Sequence, residues 1–175
     1  TARPLSVDTA RAETARLALA AGADAVNDIA AGRDPDMLPL VAERRCGLVL
    51  MHMRGQPANM QDSPRYADVV AEVAAWLAGR AAAAERAGVA AAKILVDPGI
   101  GFGKRIEHNL ALLANLDRLG NGRALLVGAS RKSFIGDLTG APVDARLSGS
   151  LAALAAAFAG GTTVVRVHDV AASVQ

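Results

Sequence analysis

At 175 residues the chain is long enough for one domain with a sizeable core, and its single cysteine, Cys46, excludes an internal disulfide and suits a reducing compartment such as the cytoplasm. Hydrophobic residues make up 52%, yet no stretch is an uninterrupted apolar run of membrane-crossing length, so a soluble protein without membrane partners is expected. A net charge of +2 with only 3% aromatics argues against a nucleic-acid partner, whereas a few cations gathered at one mouth would suit a small anionic substrate.

Residues 4 to 8 read as a strand, after which Ala15, Ala18 and Leu19 recur at helical spacing until Gly22 closes the helix. A second strand over 25 to 29 precedes a helix opening near Asp34-Pro35, where proline suits a first turn. The third strand, 47 to 53, leads into a long irregular stretch from Arg54 to Arg65, of the kind that covers a ligand. A helix over about 66 to 87 carries Val69, Val73, Trp76 and Arg80 on one side, with Trp76 read as packing. Strand 93 to 97, a glycine-rich loop and a stripe of Leu112, Leu116 and Leu119 follow. Strand 124 to 129 runs into Ser130-Arg131-Lys132, and strand 163 to 168 is last, with a helix starting after Asp169. The helix near 146 to 159 has Leu147, Leu151, Leu154 and Phe158 on one face and alanine almost everywhere else, which calls for burial on two sides and suggests a homodimer interface.

Each of the six apolar runs ends in a polar or ionisable residue: Asp8, Asn27 with Asp28, His52, Asp97, Ser130-Arg131-Lys132, and Arg166 with His168. In parallel α/β folds ligands bind at the carboxyl ends of strands, and in a (β/α)8 barrel all of these ends open onto one mouth. The expected fold is therefore a single-domain α/β chain, 1-175, forming about six of the eight units of a (β/α)8 TIM barrel. A six-stranded open doubly wound sheet is the alternative on length alone. The chain starts on Thr1-Ala2-Arg3-Pro4, without a signal-peptide pattern, as though two strands before it were missing and the last helix cut short.

Asp97 stands before Pro98, which keeps it extended, and a buried carboxylate at a strand end can accept two adjacent N–H groups from a heterocycle edge. The same carboxylate could instead cap the loop that follows. Gly99 to Lys104 is neither a Walker loop, because Pro98 and Arg105 stand at defining positions, nor a dinucleotide fingerprint, because Lys104 replaces the third glycine. Phe102 between glycines is better explained by a flat ligand than by packing. Arg166 and His168, two apart on a strand, would share a face and form an anion site with Ser130, Arg131 and Lys132 nearby. No metal-ligand spacing or nucleophile elbow occurs, which suits transfer from an already activated pyrophosphate ester.

Ser6-Val7-Asp8-Thr9, Asn27-Asp28-Ile29, Met51-His52-Met53-Arg54-Gly55, Met60-Gln61, Asp97-Pro98-Gly99 through Lys104, Ser130-Arg131-Lys132-Ser133, Arg146-Leu147-Ser148-Gly149-Ser150 and Arg166-Val167-His168-Asp169 together resemble the dihydropteroate synthase family. The resemblance implies condensation of 6-hydroxymethyl-7,8-dihydropterin diphosphate with para-aminobenzoate in folate biosynthesis. Carried over by motif, it implies that Asp8, Asn27, Met51, Asp97, Phe102, Gly128 and Lys132 hold the pterin. Arg166 and His168 take the diphosphate, and Lys132 with Ser133 lies near para-aminobenzoate. Asp8, Lys132, Arg166 and His168 are the catalytic candidates. Mg2+ is the implied cofactor, with the family's Asn ligand in a region that has no counterpart here. A non-catalytic pterin-binding paralogue and a methyltetrahydrofolate-dependent corrinoid methyltransferase remain alternatives.

Overall fold

The computed structural model describes residues 3–56 and 58–175; residues 1 and 2 of the chain start and residue 57 within the long loop lie outside them. Six parallel strands, β1 (Ser6–Asp8), β2 (Ala25–Asp28), β3 (Gly47–Met51), β4 (Ile94–Asp97), β5 (Ala124–Val127) and β6 (Val164–Val165), follow one another in sequence order across one curled sheet. Among the described residues seven α-helices lie between and after them: α1 (Ala12–Ala20), α2 (Met37–Arg44), α3 (Val69–Arg86), α4 (Ile106–Leu113), α5 (Ser133–Thr139), α6 (Leu147–Ala159) and α7 (Val170–Ser173). A strand order that never doubles back belongs to a barrel wall, whereas a doubly wound sheet reverses at a switch point.

Because successive strand residues point to opposite faces, each strand divides its side chains between two environments. Val26, Leu48, Leu50, Ile94, Val96, Leu125 and Val127 face the helices and are buried with Met37, Leu40, Val73, Leu77 and Leu112. Each large side chain removed from water there contributes roughly 1.5–3 kcal/mol. The register pairs Asp8 with Asn27, Asn27 with Val49, and Met51 with Asp97, so these residues share the opposite, concave face. The polar tips thus reach the inside of the curl at its carboxyl edge.

Element ends differ from the sequence reading for local reasons. The long helix starts at Val69 rather than 66 because Asp68, in extended conformation, accepts the Val70 and Ala71 N–H groups at 3.0 Å each and so closes the first turn. Asp34 does not open α2; its carboxylate accepts the Ala12 N–H at 2.8 Å, capping α1 instead. The last strand ends at Val165, not 168, because β5 turns away after Val127. Arg166 N–H still reaches the Val127 carbonyl at 2.9 Å, and His168 N–H then finds only the Ser130 hydroxyl at 3.2 Å. Helix α5 is an element the sequence reading lacks: Phe134, Ile135 and Leu138 fall at helical spacing, but over only seven residues, too short a stretch to show a period. In α6 the small residues Ser150, Ala153 and Ala157 pack inward, which leaves Leu147 and the 79% exposed Phe158 facing out. No helix among the described residues is long and apolar enough to cross a membrane.

Candidate functional site

A cavity of about 220 Å³ opens at the carboxyl edge of the sheet, lined by Asp8, Ile29, Asp97, Gly99, Ile100, Phe102, Gly128, Ser130, Lys132, Arg166 and His168. Residues from five different strand ends converge there, although they are spread over most of the chain.

Asp97 lies at the buried end, 2% exposed. Its Oδ1 accepts the Gly99 N–H at 2.7 Å, and its Oδ2 lies 3.8 Å from Arg166 Nη1. The loop-capping reading of this residue is met by Oδ1, while Oδ2 is left facing Arg166. Burial raises its pKa above the usual aspartate value, opposed by the Gly99 N–H and by Arg166, Lys104 and Lys132. Lys132 has its ammonium 3.9 Å from the centre of the Phe102 ring, a cation–π contact, and burial lowers its pKa while Asp97 opposes the shift.

Asn27 sits behind the lining, 3% exposed, and ties two of its members together. Its amide N–H donates to Asp8 Oδ2 at 2.9 Å, and its carbonyl oxygen accepts from Arg166. Asp8, Asn27, Arg166 and Asp97 thus form a polar chain from the rim to the floor. At the rim, His168 Nδ1 is 3.0 Å from the Ser130 hydroxyl, whose oxygen also receives the His168 backbone N–H. The Ser130 hydroxyl thus holds both the ring and the backbone of His168. Arg166 and His168 are both exposed, so the cationic end of the cavity is the open end.

Several expected residues are placed elsewhere. Met51 is buried beneath the loop after Asp97 rather than on the cavity lining, and Ser133 is exposed at the first residue of α5, outside the cavity. Arg131 is not a cation of the mouth: its guanidinium pairs with both carboxylate oxygens of Asp169. Asp28 and His52, though run ends, also face away from the cavity. Asp28 accepts the Ala30 and Gly32 N–H groups at 2.8 and 2.6 Å and so shapes the turn after β2. His52 stacks edge-on against Trp76, with ring centres 5.0 Å apart.

The residues that sequence reasoning missed support the glycine-rich loop. Lys104 is 3% exposed and gathers loop carbonyls around its ammonium, and buried Asn109 accepts the Gly101 N–H at 2.8 Å. Lys104 follows a glycine and precedes Arg105, where nothing distinguishes it from a surface cation. Asn109 left a fainter trace, as a polar residue one turn before Leu112 on the inner side of α4. Among the described residues no group of three or more His, Cys, Asp or Glu side chains is arranged to hold a metal ion.

Residues 1–168 match the family model described as pterin binding enzyme. The chain is 48% identical over 175 residues to the dihydropteroate synthase of Neisseria meningitidis serogroup C, covering 97% of this chain and 62% of that relative. It superposes with a TM-score of 0.93 on the Xanthomonas albilineans dihydropteroate synthase with 4-aminobenzoic acid, at 49% identity, covering 99% of this chain and 62% of the other. Against the same enzyme in complex with 7,8-dihydropteroate the TM-score is 0.92, again at 49% identity, covering 99% of this chain and 64% of the other. The chain spans about six-tenths of the length of the curated relatives it matches. With its partial barrel, its convergent strand tips and a match running almost end to end, the chain belongs to the pterin binding enzyme family.

Proposed function

We propose that this protein is a dihydropteroate synthase, transferring the pterin methylene of 6-hydroxymethyl-7,8-dihydropterin diphosphate to the amino group of para-aminobenzoate. The observation that carries the reading is the polarity of the cavity: a buried carboxylate, Asp97, at the closed end, and Arg166 with His168 at the open end. A flat heterocycle with two adjacent N–H groups and a diphosphate tail has the matching polarity.

In this reading Asp97 Oδ2 accepts the pterin N–H groups, Phe102 covers one ring face, Lys132 meets the remaining ring heteroatoms, and Asn27, behind the lining, acts through the Asp8 and Arg166 side chains it holds. Met51 lies beneath this slot and Gly128 leaves room beside it. The amino nitrogen of para-aminobenzoate attacks the methylene carbon as the carbon–oxygen bond breaks. Negative charge then accumulates on the departing diphosphate, where Arg166 and His168 already present donors, while the Asp8 carboxylate faces the positive charge developing on the pterin side. Lys132 and the start of α5 at Ser133 mark the side from which para-aminobenzoate approaches.

Mg2+ belongs to the same proposal. One carboxylate plus substrate phosphate oxygens is a ligand set this ion commonly takes, and Asp8 is the exposed carboxylate of the cavity. When bound, the ion would neutralise charge on the leaving diphosphate. A homodimer through the outward Leu147–Phe158 face of α6 and a cytoplasmic location complete the reading.

The test is release of pyrophosphate by the full-length protein given both substrates, with one dihydropteroate formed per pyrophosphate. Tight pterin binding without release would instead favour a non-catalytic binding module, and methyl transfer to a corrinoid would favour the methyltransferase class.

A further inference from the structure

The loop from Gly99 to Gly103 turns its own carbonyls inward. Gly99 and Phe102 oxygens converge on the Lys104 ammonium at 3.0 and 2.9 Å, and the His52 imidazole Nδ1 completes the set at 3.0 Å, with the His52 carbonyl at 3.4 Å. Converging carbonyls with no donor between them would be both desolvated and mutually repelling. The ammonium supplies three N–H groups at that point, and His52 accepts one of them through an unprotonated Nδ1.

The other face of the same loop is part of the cavity: Phe102, whose carbonyl Lys104 holds, presents its ring to the lining and to Lys132. Two outer tethers fix the loop from the opposite direction, Gln61 Nε2 donating to the Gly101 carbonyl at 2.8 Å and Tyr66 hydroxyl donating to the Gly103 carbonyl at 2.9 Å. We propose that Lys104 is a positioning residue for ligand recognition, acting through the loop carbonyls to hold the Phe102 ring as the wall of the heterocycle slot. The inference rests on the proposed pterin function and adds a residue that touches no substrate itself.

The experiment is a double-mutant cycle read on pterin affinity in the full-length protein, by calorimetry. Lys104→Met, which keeps the chain length and removes the donors, is expected to weaken pterin binding about tenfold. In a Phe102→Ala background the same change is expected to weaken it less than about twofold, because the wall that Lys104 positions is already gone. Leu40→Ala, a truncation in the buried core on α2, should lower the thermal midpoint without moving pterin affinity, which separates positioning from general destabilisation. Unchanged affinity in Lys104→Met, or fully additive losses with Phe102→Ala, overturns the inference while leaving the proposed function standing. Absence of pterin binding by the unmodified protein overturns both. Should Lys104→Met fail to fold, Gln61→Ala and Tyr66→Phe must show the same non-additivity with Phe102→Ala in smaller measure, and additive losses there overturn it equally.

Discussion

Asp97 has two oxygens in separate surroundings, Oδ1 on the Gly99 N–H and Oδ2 toward Arg166, and this makes its substitution informative. Asp97→Asn can keep an acceptor toward the Gly99 N–H, but it exchanges the second acceptor for a donor facing the proposed pterin N–H edge. A loss of pterin affinity on the order of 2–4 kcal/mol is expected by calorimetry, the cost of leaving buried polar groups unpaired. Unchanged affinity would remove Asp97 from the site. Because burial raises the Asp97 pKa, protonation of the free protein begins at a higher pH than for an ordinary aspartate. Pterin affinity should accordingly fall as pH drops through that raised value, and the Asn variant should lack this titration. Asp97 was legible in the sequence because Pro98 announces a strand end and an extended carboxylate. Arg131 was misread for the opposite reason: its partner Asp169 lies 38 residues away, and no local spacing separates a paired arginine from a free one.

The glycine-rich loop and the strand beneath it form one element in the mechanical sense. Gly99 has φ +66°, and a Cβ there would overlap the His52 carbonyl oxygen, so both the backbone conformation and the close approach require glycine. Gly99→Ala is expected to cost on the order of 3 kcal/mol or more of stability, from left-handed strain plus overlap with backbone that cannot step aside. Urea unfolding measures the loss, and a change under about 1 kcal/mol would contradict the packing described.

Beneath the loop, His52 is 5% exposed, and burial beside Lys104 and Arg54 lowers its pKa to about 3 from the ordinary 6.5. The unfolded chain then takes up a proton as pH falls through 6.5, while the folded one stays neutral until about pH 3. Stability from this group is fully present above pH 6.5 and declines below it, by about 2 kcal/mol at pH 5. His52→Gln should flatten that part of the pH–stability curve; a slope equal to that of the unsubstituted protein would contradict it. Strand centres and long helices were readable from alternation and 3.6-residue spacing. Their ends were not, because they depend on which distant group supplies the next hydrogen bond, as at Asp34, Asp68 and Ser130.

At the scale of the molecule the sheet is curled but open, with β1 and β6 as its edges. Leu5 beside β1 is 63% exposed and Val164 of β6 is 39% exposed, an invitation to pairing between chains. Residues 1–175 expressed alone are expected to associate or precipitate and to turn over poorly; a monomer on size-exclusion chromatography with cooperative unfolding would contradict this. The barrel class and the common mouth were visible in the rhythm of polar-tipped runs. Which tips face the mouth was not, since Asp28 and His52 obey the same rhythm and turn elsewhere.

The bond from Arg166 to the Asn27 carbonyl joins residues 139 apart in sequence. Closing so long a loop carries an entropy cost that contacts between neighbouring strands do not, so this contact is expected to form late in folding. The reciprocal effect is thermodynamic: a ligand that engages Arg166 stabilises its fastening to Asn27, so saturating pterin should slow amide exchange at β2 and β6.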